Sequence, residues 1–184
     1  IKLYYGIQDS MDVQFADEAA YIRFGLDLFE TMNRNWGPMY ALWYKCLSFI
    51  TTDTIQLYYL NFIITSVLIG VLLYIFLLRI SIKPTFALFI AFCVLVSDLN
   101  VSVWPRISHF CIVFCLVALI AISYIRNNIY KCLVFTIVCL INAYARPEFY
   151  LSFVLMVMVT LVSIYYNKAF LTRNDIYIFA GSFL

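Results

Sequence analysis

Asp17 and Glu18 are the side chains best suited to acid–base chemistry in this chain, adjacent carboxyls in a polar, aromatic segment ahead of long apolar runs. Two carboxyls at the lip of a bilayer are costly to hold beside lipid and need a reason. One reason is capping, with Asp17 as N-cap and Glu18 at the first helical position, where free amides and the helix dipole favour negative charge. The other is catalysis, in which one carboxylate is general base toward an acceptor hydroxyl and the other holds metal or substrate. The two readings are compatible, since an Asp at a helix start can also face a cleft. Asp12 and Asp9 lie on the same segment as further candidates.

Arg146-Pro-Glu148 places a charged pair between two apolar runs. An ionisable pair at that position is a functional-site hypothesis, and the planar fork of Arg146 suits a lipid phosphate. Its plainer reading is a turn held by an Arg–Glu contact, with Pro147 stopping the preceding helix. Arg106 and His109 follow a polar break at Asp98 and Asn100. Arg106 reads as an interfacial anchor or a substrate-binding cation, and His109, the only histidine, as a polar residue packed between helices or a group of the site. Trp36-Gly37-Pro38 reads as a turn whose indole is able to stack on a sugar ring. Cys111 and Cys115 share a helical face, but no second ligand pair accompanies them, and the cysteines read as small buried hydrophobes.

The elements that must position these groups are membrane helices. Hydrophobic residues make up 65% of the 184, charged residues 12%, and the mean hydropathy is +0.95. That excludes an ordinary soluble domain. The net charge of +2 comes from scattered basic residues and gives no nucleic-acid patch. Residues 1–54 are the polar part, with seven acids against four bases. From Asp17 to Asn33 an amphipathic helix is expected, with Ala20, Phe24 and Leu28 on one face and i,i+4 charge pairs on the other. A second is expected over Pro38 to Phe49, with Tyr40, Trp43 and Tyr44 at headgroup level. Apolar runs then predict spans over about 55–78, 84–103, 107–125, 132–145, 149–166 and 176–184, the last one cut short. A span is also expected ahead of Ile1, so that the chain reads as the N-terminal half of a larger protein.

Loop charges orient the bundle. The breaks at 79–83, 125–131 and 167–175 carry two Lys/Arg each, and those at Arg106 and Arg146 carry one. By the positive-inside rule the first set is cytoplasmic. Asp17, Glu18, Asp98, Asn100, Arg106, His109, Arg146 and Glu148 then share the outer face. The two runs flanking Arg146 look short for spans, which predicts a turn sunk in a protein-lined cavity.

Taken in order, Asp17-Glu18-Ala-Ala-Tyr21, Trp36-Gly-Pro-Met-Tyr40 and Tyr144-Ala-Arg-Pro-Glu148 resemble the N-terminal half of GT-C superfamily membrane glycosyltransferases. The closest groups are the protein O-mannosyltransferase and aminoarabinose-transferase-like families. The resemblance covers about residues 9–170 and rests on short motifs. It implies an all-α polytopic transmembrane helical bundle with an extracytoplasmic first loop of interface helices. It also implies transfer of a sugar from a polyprenyl-phosphate donor to an acceptor on the outer side of a bacterial cytoplasmic membrane. Asp17 would be the catalytic carboxylate, Glu18 its neighbour or alternate, and Arg146 would lie near the lipid phosphate. Some superfamily members need a divalent metal. The acceptor (glycan, lipid or protein) stays open. The alternative is a non-enzymatic polytopic protein, either a transporter or flippase, or a scaffold subunit of envelope-glycan assembly. No internal repeat is visible and the charges sit at span ends, which favours the enzyme over the transporter.

Overall fold

A computed structural model describes residues 16–28, 37–97 and 106–166, with the side chains at 16, 17 and 163–166 outside that description. Among the described residues the chain is all-helical. Three helices are long and apolar enough to cross a membrane: α3 (Thr54–Arg79), α5 (Ile107–Tyr124) and α6 (Asn128–Ala145). Two shorter apolar helices, α4 (Pro84–Leu95) and α7 (Tyr150–Tyr166), flank them. Ahead of these lie α1 (Ala16–Leu26) and α2 (Pro38–Leu47).

The packing order is a row, α4–α3–α5–α6–α7, with the α1–α2 pair lying against α3 and with α2 also against α6. Threading follows from the contacts at the two ends. At one end Arg79, the last residue of α3, donates through Nε and Nη2 to Ser123 near the end of α5, both at 3.2 Å. Its guanidinium lies 4.1 Å from the Tyr124 ring centroid. At the other end Arg146, just past α6, donates from Nη1 to Ser108 in the first turn of α5 at 2.9 Å. Thus α3 and α5 run parallel, and α6 runs back between their levels. The sites predicted at Arg106 and Arg146 fall at one end, and the basic breaks at 79–83 and 125–131 at the other.

The start of α3 is set by Asp53, whose Oδ1 accepts from the backbone N–H groups of Ile55 and Gln56, both at 2.9 Å. Twenty-six residues give α3 a length of about 39 Å. Its C-terminus is a Schellman turn. Ser81 adopts φ 71°, while the N–H of Ile82 reaches back to Leu77 O at 3.1 Å and that of Ser81 to Leu78 O at 3.0 Å. Pro84 then opens α4.

Several expected boundaries are corrected. The helix predicted over 84–103 ends at Leu95, because Ser97 Oγ turns back to Val94 O at 2.7 Å. Twelve residues reach only about 18 Å, less than a bilayer core. Residues 98–105 and the run at 176–184 lie outside the described residues. The run predicted from 132 begins at Asn128, where Asn127 Oδ1 accepts from Ile129 N–H at 2.9 Å. Eighteen residues make α6 long enough to cross, which removes the reason for a sunken turn at Arg146.

The N-terminal helices are corrected more strongly. The helix α1 starts at Ala16, so Asp17 and Glu18 lie within its first turn and neither is the N-cap. It stops at Leu26 and buries Glu18, Ile22 and Gly25, rather than the predicted face of Ala20, Phe24 and Leu28. In α2, Tyr40 and Tyr44 are completely buried, so their rings pack inside the protein rather than on its surface. Two glycines permit this packing. A Cβ on Gly25 would press on Tyr44 Cβ, and one on Gly37 would overlap the Tyr144 carbonyl at the end of α6.

Candidate functional site

Glu18 is the centre of the polar cluster that the fold builds. Its carboxyl is 3% exposed and is reached from three other elements. From α2, the hydroxyls of Tyr40 and Tyr44 both donate to Oε1. From α3, Asn61 Nδ2 lies 3.3 Å from the same oxygen. At the head of α5, the backbone N–H of Arg106 donates to Oε2 at 2.9 Å.

Asn61 ties the cluster together. Its Nδ2 lies 2.8 Å from both the Tyr40 and the Tyr44 hydroxyl oxygens, and its Oδ1 accepts from Trp43 Nε1 at 2.8 Å. Each tyrosine thus donates to the carboxyl while accepting from the amide, a directional arrangement that only one geometry satisfies. Rings seal it: Tyr40 has Tyr21, Tyr44 and Phe110 within 5.0–5.3 Å, centroid to centroid.

Burial raises the Glu18 pKa above the usual carboxylate value, and the tyrosine hydroxyls, the Arg106 amide and the Arg106 charge oppose that without cancelling it. The Tyr40 and Tyr44 hydroxyls are pushed far above their ordinary range, chiefly by burial and also by their carboxyl neighbour.

Arg106 is fully buried, and its side chain turns away from its own amide into the bundle. Nη2 donates to Ser66 Oγ and lies 3.4 Å from Phe62 O, and the guanidinium covers the Phe62 ring at 3.9 Å. Nη1 lies 2.9 Å from His109 Nε2, so His109 accepts there and its neutral tautomer carries the proton on Nδ1. Arg106 is therefore no exposed anchor, and His109 is a polar residue packed between helices.

Arg146 and Glu148 form a second group, one residue away along α5. Arg146 bridges Ser108 at 2.9 Å and Glu148 Oε1 at 3.3 Å, with side chains 38% and 67% exposed. This is an open turn at the end of the bundle rather than a sunken one. Pro147 opens a 3₁₀ turn there, as expected of a helix stop.

The predicted site residues thus divide. Glu18, Arg106 and His109 meet in a buried cluster, while Arg146 and Glu148 meet beside it in the open. Asp17 occupies the first turn of α1 with its side chain outside the described residues, and Trp36 lies outside them altogether. Tyr40, Tyr44, Asn61 and Ser66 belong to the cluster without being among the site residues expected from the sequence. For Asn61 and Ser66 the signal in the sequence is a polar set, Asn61, Thr65 and Ser66, within an apolar run, with Asn61 and Thr65 on one helical face.

For a divalent metal the described residues fit poorly. Both Glu18 oxygens face donors, and no described group of three or more His, Cys, Asp or Glu could hold an ion. All six cysteines are free thiols. Cys111 is buried, and Cys115 Sγ accepts from Asn142 Nδ2 at 3.3 Å, in keeping with small packed side chains.

Comparison with known proteins gave no match, whether to a family model, a curated protein or a solved structure. What the residues define is a helical bundle with three membrane-length helices and a polar cluster at one end.

Proposed function

We propose that this chain belongs to an integral membrane glycosyltransferase of GT-C type, moving a sugar from a polyprenyl-phosphate donor to an acceptor hydroxyl. The reaction would take place on the outer side of a bacterial cytoplasmic membrane. The observation that carries the reading is the meeting, at one end of the row, of the first turn of α1, the head of α5 and the Arg146 turn. The bond from Arg106 N–H to Glu18 and that from Arg146 to Ser108 make this junction. The basic breaks at 79–83 and 125–131 lie at the opposite end, in keeping with that end being cytoplasmic.

In this reading Asp17 is the general base. It takes the proton of the acceptor hydroxyl as that oxygen attacks the anomeric carbon. The bond from that carbon to the lipid phosphate breaks with inversion, and the phosphate leaves with the electron pair. Glu18 is poorly suited to the same step, because both its oxygens already accept hydrogen bonds inside the fold. Arg146 is the exposed cation able to meet the leaving phosphate, with Glu148 steadying its fork. Trp36 would pack on the sugar.

The test is Asp17→Asn in the full-length protein, read as cell-surface glycan per molecule of protein. Loss of the glycan at normal abundance is expected. Inside the first turn of a helix, Asp→Asn removes only a charge–dipole contribution of about 0.3–1 kcal/mol, so full glycan output would overturn Asp17 as the base.

A further inference from the structure

We propose that Glu18 is a positioning residue of this site, fixing where the first turn of α1, and with it Asp17, stands against the head of α5. The inference rests on the glycosyl-transfer reading for its consequence but on the hydrogen bonds alone for its mechanics.

The argument begins with the helix. Eleven residues are too few for α1 to be stable by itself, so its place is set by tertiary contacts. Those contacts are unevenly spread. Ile22 is buried in the apolar cluster at the middle of the helix and Gly25 lies against α2 near its end, about 6 and 10 Å along the axis from Glu18. Of the α1 side chains that the structure describes, Glu18 is the buried one in the first turn. Without its carboxyl, that turn keeps no described hydrogen bond to the bundle. With it, the turn is tied to α2 by two hydroxyls, to α3 by Asn61 and to α5 by the Arg106 amide.

The chemistry of the contact also separates positioning from mere stability. A buried carboxyl in a cluster of this kind is an expensive way to fill space, and apolar side chains of the same volume often stabilise at least as well. What the carboxyl adds is direction. The two tyrosine hydroxyls and the amide converge from different elements, so α1 has one rotation and one height at which all three are met. A base one residue away inherits that placement, and misplacement by about 1 Å is enough to cost about 100-fold in rate.

The test uses full-length protein in membrane vesicles and cells, with Glu18→Ala and the milder Tyr44→Phe. Three quantities are read: glycan per molecule of protein, binding of polyprenyl phosphate, and amide hydrogen exchange over 16–26. For Glu18→Ala we expect about a 100-fold loss of glycan, polyprenyl-phosphate binding within about twofold, and faster exchange in the first turn of α1. Tyr44→Phe should move glycan and exchange the same way by about tenfold, and it carries the test if Glu18→Ala fails to accumulate. Unchanged exchange in the first turn overturns the clamp. Loss of glycan only in proportion to lost protein and lost lipid binding overturns positioning in favour of a structural role. If the wild-type protein supports no glycan transfer, the reading of function fails, and with it the positioning of a base. The exchange data would then still decide whether Glu18 holds the turn.

Discussion

The backbone N–H of Arg106 donates to Glu18 Oε2 at 2.9 Å, across 88 residues of sequence. This bond joins the first turn of α1 to the head of a membrane-length helix. The Arg106 side chain meanwhile runs the other way, to Ser66 and His109. The residue therefore faces two layers at once, α1 with its amide and α3 with its guanidinium.

The pH dependence of that junction follows from the raised Glu18 pKa. Below the ordinary value of 4.5 the carboxyl is protonated whether α1 is docked or not. As pH rises past that value, the undocked carboxyl ionises first, which favours undocking until the docked group ionises too. Docking should therefore be tightest in acid and weaken as pH rises from 4.5 through the higher docked pKa. Hydrogen exchange over 16–26 measured against pH would report it, and Glu18→Gln should flatten the profile. A junction that tightens with rising pH would show the sign to be wrong.

Asn61 and Tyr44 should be energetically coupled. Asn61→Leu removes the donor to both tyrosines and the acceptor of Trp43, and is expected to destabilise α2 docking by about 2 kcal/mol. Tyr44→Phe alone should cost about 1 kcal/mol. In a double-mutant cycle the two costs should fall short of adding, by at least about 0.5 kcal/mol. Denaturant melts in detergent provide the measurement, and simple additivity would mean that the bonds act separately.

At Gly37 no side chain fits. A Cβ would overlap the Tyr144 carbonyl, so Gly37→Ala must push α2 away from the end of α6. A loss of about 1–3 kcal/mol is expected, read as a lowered melting temperature. Wild-type stability would mean that the two helix ends do not meet.

Ser81 offers the opposite case. It holds φ 71° in the Schellman turn that closes α3, a conformation that an L side chain adopts at a cost. Ser81→Gly should stabilise by about 1 kcal/mol, raising the denaturation midpoint.

Local signals made much of this fold legible. The span predicted over 55–78 is Thr54–Arg79, since a long apolar run bounded by Asp53 and Arg79 leaves little freedom. The helix at 107–125 likewise ends at Tyr124. The start of α6 lies ahead of the apolar run, because Asn127 caps a helix that continues through the polar stretch to Lys131. Loop charges also sorted Arg106 and Arg146 from Arg79 and Lys131, and the contacts put those pairs at opposite ends of the row.

Hydropathy, end charges and turn residues determined by themselves that this chain makes apolar helices and which polar residues lie at which end. They are properties of neighbours in sequence, set by helix geometry and by the cost of burying backbone and charge. Only the tertiary structure decided that Glu18 is buried rather than capping, and that Tyr40 and Tyr44 face inward. It also decided that a lone amide, Asn61, holds the cluster. Those outcomes depend on hydrogen bonds between residues 17 to 88 positions apart, whose donors and acceptors find each other only once the helices have packed.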